Sequence, residues 1–302
     1  MNQPISADMM QDIPPMLPLA VRERLARGQR LTTVVEDGRR IIWHAWQPED
    51  AAAPGGAPVA LLHGGSGSWT HWVKNIVPLL DAGRCVLTAD LPGFGDSDPP
   101  ATGSGAEAMV EPMAASLRAL PAHAAADGPV DLVGFSFGGV LAATLLAAHP
   151  GLARRLVLVG APAMGVVPER QFQLKGWRHL TSPQERAAIH RHNLGVLMLR
   201  DHALIDGLAL EIHTANVQRD RLPRRRFAPD ALARILPRVR CPVHAIYGAR
   251  DALYGPYIHR LPDAFAAAPG FRGLRLIDGA GHWVQFEAAQ AFDAALRAAL
   301  ED

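Results

Sequence analysis

Cysteine is nearly absent from this 302-residue chain: Cys85 and Cys241 are the only two, too few for a disulfide framework. Each opens an apolar stretch that reads as a buried strand, so two free thiols in a reducing compartment are expected. Neither sign of charge dominates. Thirty Lys and Arg face 29 Asp and Glu, leaving a formal charge of +1, which argues against whole-protein attraction to nucleic acid or to an anionic membrane. Long hydrophobic runs are missing too. The longest largely apolar run, Val140 to Ala148, stops at His149-Pro150 and is too short to span a bilayer. The stretch from Met1 to Ala20 carries Asp8, Gln11, Asp12 and four prolines. It has no apolar segment of signal-peptide length, so a cytoplasmic location is expected. The 28 Gly and 25 Pro are scattered, which excludes collagen-like repeats and wholesale disorder. What remains is 49 % apolar and 20 % charged, the balance of a globular protein with a sizeable core.

From Leu31 to Gln47 two segments rich in β-branched residues meet at Asp37-Gly38, a strong hairpin signal. A loop follows at 51–58. Short apolar runs then alternate with longer amphipathic segments. The runs at 59–65, 85–93, 130–136 and 152–162 read as buried strands, and the segments at 69–80, 107–120 and 138–149 read as helices, that at 107–120 interrupted by proline. Such alternation implies crossover units and a mostly parallel sheet with helices on both faces. From 163 to 240 no convincing strand occurs. Two helical stretches are expected there, near 183–200 and 201–218, the second with Asp201 as its N-cap. This insert holds fourteen Lys and Arg against seven Asp and Glu, with the excess concentrated in Arg219–Arg226; a solvated basic face is the expectation. Strand and helix resume at 241–253, 256–268, 271–282 and 286–300. The organisation expected is an α/β core at 1–162 and 241–302, with a mostly parallel eight-stranded sheet. A helical cap or lid at 163–240 is inserted after the sixth strand.

Chemistry concentrates where strands end. Gly134-Phe135-Ser136-Phe137-Gly138-Gly139 lies at a strand-to-helix junction, where a sharp turn projects the serine hydroxyl and leaves room only for glycine two residues either side. A serine needs a base to accept its proton, and the base needs a carboxylate to orient it. His282 follows the last apolar strand in Gly279-Ala280-Gly281-His282-Trp283, and Asp251 follows the strand before it. The order Ser136, Asp251, His282 along the chain is that of one particular scaffold. An oxyanion hole is expected from the backbone N–H of Phe137 and from the glycine-rich loop His63-Gly64-Gly65-Ser66-Gly67-Ser68-Trp69, with Gly65 as donor. That loop lacks the Gly-Lys-Ser/Thr ending of a phosphate-binding loop, and no dinucleotide fingerprint is present. There is no H-E-x-x-H, and His190 and His192 stand two apart on a helix, facing different directions. No metal and no cofactor are therefore expected; the chemistry needs water and a small-molecule substrate.

These motifs, together with Asp90-Leu91-Pro92-Gly93-Phe94-Gly95-Asp96-Ser97, resemble those of the α/β-hydrolase superfamily over essentially the whole chain apart from the insert. The resemblance implies a cap between the sixth and seventh strands and a structural role for the Asp90–Asp98 loop. It also places Cys85 and Cys241 on strands four positions apart, roughly 19 Å, too far for a disulfide. A serine nucleophile sets the chain apart from the superfamily's aspartate-dependent dehalogenases and epoxide hydrolases. Trp69, Trp283, Leu197 and Met198, with Phe137, suggest an apolar acyl pocket. The expectation is a carboxylic-ester hydrolase. The alternatives are a carbon–carbon bond hydrolase of a dienoic ring-cleavage product and a ligand receptor on a hydrolase fold. Gly281-His282-Trp283 is similar to the carbon–carbon hydrolases, but Phe135 and Phe137 depart from their usual asparagine and methionine. In that alternative a substrate carboxylate would meet an insert arginine such as Arg191 or Arg200.

Overall fold

The computed structural model describes residues 7–49, 56–121, 124, 128–168, 172–223 and 228–302. Most of the loop expected at 51–58, and the arginines at 224–226, lie outside the described residues. Eight strands form one sheet: β1 (Gln29–Val34), β2 (Arg40–Trp46), β3 (Val59–Leu62), β4 (Val86–Ala89), β5 (Val130–Phe135), β6 (Ala153–Val159), β7 (Val243–Gly248) and β8 (Phe271–Ile277). Their order is β1-β2-β4-β3-β5-β6-β7-β8. β1 and β2 are the expected hairpin, with Leu31 opposite Trp43, and Gly38 takes the positive φ of 81° that its turn requires. β2 also runs antiparallel to β4, and every later pair is parallel.

The central strands are dominated by apolar residues because both of their faces are covered; the buried exception on β5, Asp131, is paired with Arg84, Arg154 and Arg155. On β5, Val130 and Leu132 point into one core layer while Val133 and Phe135 point into the other. Truncating a residue such as Phe135 to alanine would remove about 3–5 kcal/mol of stability. The helix Phe137–Ala148 that follows β5 is apolar on all sides, consistent with its burial along nearly its whole length.

Several helices begin later than their periodicity suggests. Only Ile76–Asp81 of the stretch 69–80 is α-helical; Trp69–Trp72 is a separate 3₁₀ turn. The helix expected at 107–120 runs over Val110–Arg118 and is not interrupted, because Pro112 falls in its first turn, where a missing N–H breaks no bond. Two N-terminal helices, Ala7–Asp12 and Leu19–Leu25, lack a clear sequence signal, yet Met9, Ile13 and Leu25 are buried in the second core layer.

Between β6 and β7 no strand occurs among the described residues. The helix Pro183–Asn193 starts on proline after Ser182, whose Oγ accepts the Glu185 N–H at 3.3 Å. It widens into a π-type turn at Leu194–Met198. The second helix is Leu208–Gln218. Asp201 is not its N-cap: its carboxylate accepts the Ala203 N–H at 2.9 Å and caps a 3₁₀ turn, His202–Leu204. Gly207, at φ 66°, then redirects the chain, so a helix from 201 is broken by backbone geometry that apolar spacing does not reveal. Among the described residues no helix is long and apolar enough to cross a membrane, and no group of three or more His, Cys, Asp or Glu could hold a metal ion. Cys85 and Cys241 are both free thiols.

Candidate active site

Ser136 stands between β5 and the helix Phe137–Ala148 at φ 50° and ψ −115°, a conformation that costs a non-glycine residue about 1–3 kcal/mol. The surroundings hold it there. Its N–H donates to Val159 O at 2.8 Å, and its carbonyl accepts the Gly139 N–H at 2.9 Å. A Cβ at Gly134 would stand 2.5 Å from Gly138 O, and one at Gly138 would stand 2.5 Å from His63 O and 2.6 Å from Leu62 O. These neighbours are backbone and cannot swing aside. Gly138→Ala is therefore expected to lose about 1–3 kcal/mol and to displace Ser136; urea unfolding together with fluorophosphonate labelling checks both effects.

Two loops from neighbouring strands bring the other side chains to Ser136. Asp251 follows β7 and His282 follows β8. Gly248 is required where these loops touch, because a side chain there would overlap the Gly281 and Ala280 carbonyls. The Arg250 N–H donates to Ala280 O at 2.8 Å and ties the loops together. His282 Nε2 lies 3.0 Å from Ser136 Oγ, and His282 Nδ1 lies 2.9 Å from Asp251 Oδ2. The other carboxylate oxygen, Oδ1, accepts the Leu253 N–H at 2.9 Å, which fixes the plane of the Asp251 side chain. Both Asp251 and His282 are buried. The three residues singled out from sequence thus form one hydrogen-bonded chain, the arrangement through which a hydroxyl can pass its proton to an oriented imidazole.

The glycine-rich loop is also built from hydrogen bonds. His63 Nδ1 lies 2.7 Å from Gly64 O, while His63 Nε2 accepts the Leu91 N–H at 2.9 Å. His71 Nδ1 accepts the Gly64 N–H at 3.3 Å. Burial, followed by the fields of His63, His213 and His282, pushes the His71 pKa well down, so its ring is neutral and free to accept. Gly65 is exposed next to this braced segment. Asp90 joins the loop to its neighbour, accepting the Trp69 N–H at 3.0 Å and the Asp96 N–H at 2.9 Å.

Sequence reasoning overlooked two supporting residues. Gly160, at φ 52°, leaves space for the His282 ring, since a Cβ there would lie 3.1 Å from Nδ1. Glu287 accepts the Gly281 N–H at 2.6 Å and the Asp201 N–H at 2.5 Å, so one carboxylate ties the His282 loop to the insert. Gly281 is near Glu287 in sequence, but Asp201 is 86 positions away, so the sequence gives no signal for the bridge. The Trp283 N–H also donates to Met198 O at 2.8 Å.

The residues proposed to line an acyl pocket lie in different surroundings. Trp69 packs its ring 5.6 Å from Trp46 and 5.2 Å from His44. Trp283 stacks on Phe286 at 4.2 Å and donates its indole N–H to His71 O. Both rings belong to the second core layer, with Met198 buried and Leu197 half-buried against it. Arg191 is paired with Asp206 at the surface, 2.5 Å away, and Arg200 is exposed beside Gly281. The described part of the arginine cluster is not a free solvated face. Arg219 pairs with Asp96, and Arg221 donates to Gly95 O and Ser97 O. Burial alone would raise the Asp96 pKa, but Arg219 and Arg30 outweigh it and hold the carboxyl below its usual value. Ser66 Oγ donates to Asp220 at 2.5 Å, so the same short segment anchors the insert to both the glycine-rich loop and the Asp90–Asp98 loop. A separate cavity of about 220 Å³, lined in part by Leu79, Arg84, Arg154 and Asp293, shares no residue with this site.

Comparison with known proteins agrees with this architecture. The chain is 28 % identical over 260 residues to a 2-hydroxy-6-oxo-6-phenylhexa-2,4-dienoate hydrolase of Burkholderia cepacia, covering 79 % of this chain and 85 % of the other. It is 29 % identical over 274 residues to a 2-hydroxymuconate semialdehyde hydrolase of Pseudomonas sp. strain CF600, covering 85 % and 91 %. In structure it is similar to a carboxylesterase from Bacillus subtilis, with a TM-score of 0.67, 18 % identity, and coverage of 90 % of this chain and 91 % of that one; at that identity the likeness concerns the fold alone. Residues 59–295 match the alpha/beta hydrolase family. With that match spanning most of its length, the chain belongs to the alpha/beta hydrolase family.

Proposed function

We propose that the protein is a serine hydrolase that cleaves carboxylic esters of small, largely apolar substrates through an acyl-enzyme intermediate. Residues 163–240 would act as a cap on the core formed by 1–162 and 241–302. The observation that supports this best is the hydrogen-bonded chain from Ser136 Oγ through His282 to Asp251. Ser136 Oγ attacks the ester carbonyl carbon as His282 Nε2 takes its proton. Asp251 stabilises the imidazolium and does not itself become protonated. The negative oxygen of the tetrahedral intermediate is held by the backbone N–H groups of Phe137 and Gly65. The intermediate collapses, the carbon–oxygen bond of the leaving group breaks, and His282 returns the proton to the departing alcohol. Water then repeats the sequence on the acyl-serine, releasing the acid and restoring the hydroxyl.

A second activity, carbon–carbon bond hydrolysis, is favoured by one observation: the similarity, over 79 % and 85 % of this chain, to two relatives named as dienoate and semialdehyde hydrolases. The deciding experiment offers purified protein p-nitrophenyl esters of increasing acyl length beside a dienoic ring-cleavage product. Ester turnover with a clear optimum in chain length supports the esterase. Turnover of the dienoic substrate alone replaces it with the second activity. Binding without turnover of either would leave only a ligand receptor on this fold. Within the esterase, substitutions at Leu197 and Met198 are expected to move the preferred acyl length while fluorophosphonate labelling of Ser136 continues. An unchanged length profile would remove both residues from the pocket.

A further inference from the structure

Two polar side chains of the insert, His190 and Asn216, are buried with their hydrogen bonding incomplete, and a third, His213, lies beside His190. His190, on the helix Pro183–Asn193, is buried, and neither ring nitrogen has a partner among the described residues. His213, on the helix Leu208–Gln218, meets it with ring centroids 5.3 Å apart and planes at 74°. Trp177 packs on His190 at 5.1 Å. Asn216 is one turn beyond His213 on the same face. Its Oδ1 accepts from Ser68 Oγ at 2.7 Å and Thr70 Oγ1 at 3.2 Å, while its buried Nδ2 has no partner among the described residues.

The position of this cluster follows from those bonds. Asn216 holds its helix on Ser68 and Thr70, and Asp220 just beyond holds Ser66, so the helix is fastened along the loop that carries Gly65. His71 packs against Phe135 with ring centroids 5.5 Å apart, Phe135 packs against His282 at 5.0 Å, and the field of His213 also reaches His71. Buried polar atoms without partners are unfavourable and uncommon. Others occur elsewhere among the described residues, but those of His190 and Asn216 flank His213 on the two insert helices.

The chemistry of the cluster narrows what it could hold. Burial, then His190, pushes the His213 pKa down to about 3; burial, then Arg186, lowers that of His190. Both rings are neutral at ordinary pH, and each offers one N–H and one lone pair. Asn216 adds N–H groups. Neutral donors suit an uncharged acceptor oxygen. A carboxylate buried between neutral rings would lose its hydration without gaining a counter-charge. Two imidazoles with no third ligand do not make a metal site.

We propose that His190, His213 and Asn216 form a subsite that takes a neutral carbonyl oxygen carried by the substrate away from the scissile ester. The proposal rests on the esterase function proposed above and adds a substrate class to it: keto esters, or esters bearing a second uncharged carbonyl.

The test compares p-nitrophenyl hexanoate with keto analogues carrying the carbonyl at successive chain positions, and with a carboxylate-terminated analogue. The expected result is that one keto position exceeds hexanoate in kcat/KM by about tenfold. His190→Phe and His213→Phe should each bring that ratio to within about twofold of unity, and the glutamines His190→Gln and His213→Gln, which keep a donor, should restore part of it. The proposal fails if no keto position is preferred, if the ratio survives in both phenylalanine variants, or if the carboxylate is the preferred analogue. A loss common to all esters that leaves the ratio intact also overturns it. Calorimetric binding of the same esters to Ser136→Ala gives a readout independent of turnover. If the wild-type protein hydrolyses no ester, the esterase function fails, yet preferential binding of a keto ester and its loss with His213→Phe would still decide the subsite.

Discussion

Ser136→Ala is expected to abolish ester hydrolysis, with kcat falling by roughly 10⁶-fold, and to end labelling by fluorophosphonates. The backbone should be unaffected. The Ser136 side chain makes its hydrogen bond to His282, whereas its conformation is held by main-chain bonds to Val159 and Gly139. Alanine keeps the strained positive φ, so its unfolding midpoint should match the wild type. Ser136→Gly should be more stable by about 1 kcal/mol because glycine tolerates that conformation. A Ser136→Ala protein retaining a tenth of wild-type turnover would show that another residue is the nucleophile. Equal stability of the alanine and glycine variants would show instead that the turn is less strained than its φ of 50° indicates.

Asp251→Asn is expected to lower kcat by roughly 10³–10⁴-fold, and the local bonding explains why so isosteric a change should be so damaging. The Leu253 N–H needs an acceptor, and Asp251 Oδ1 supplies it at 2.9 Å. An asparagine would turn its carbonyl oxygen toward that donor and present its NH₂ to His282 Nδ1. The imidazole would then have to accept at Nδ1 and carry its proton on Nε2, facing Ser136. In that tautomer it cannot take the hydroxyl proton. KM should change little, because Asp251 is buried behind His282 and does not reach a substrate. A kcat loss below tenfold would assign the orienting carboxylate elsewhere.

The hairpin, the alternation of buried strands with helices and the position of the insert are legible in the sequence because each rests on a short-range pattern. A run such as 130–135 is apolar on both faces apart from Asp131, and Asp37-Gly38 favours a tight turn wherever it falls. Helix starts are less legible. Apolar spacing continues through 201–218, while the chain breaks at Gly207 for a backbone reason that periodicity does not record. The N-terminal helices are hidden for a related reason. They are short, and what stabilises them is the burial of Met9, Ile13 and Leu25 against residues remote in sequence.

The proposed chemistry divides along the same line. Ser136, Asp251 and His282 can be chosen from sequence because each sits in a small-residue loop at the end of an apolar strand, and loops at one edge of a parallel sheet must converge. Which charges are free and which are engaged cannot be chosen that way. Arg219 and Arg221 belong to what reads as a solvated basic run, yet they fasten the insert to the loop Gly93–Ser97. Trp69 and Trp283 read as pocket aromatics, yet their rings pack in the core layer beneath the loops. His190 and His213 carry no signal at all, being 23 positions apart on different helices. Local pattern determined the strands, the turns and the three residues of the hydrogen-bonded chain. Partners distant in sequence decided the rest, since a side chain's pairing, burial and charge depend on neighbours that only the folded chain brings within hydrogen-bonding distance.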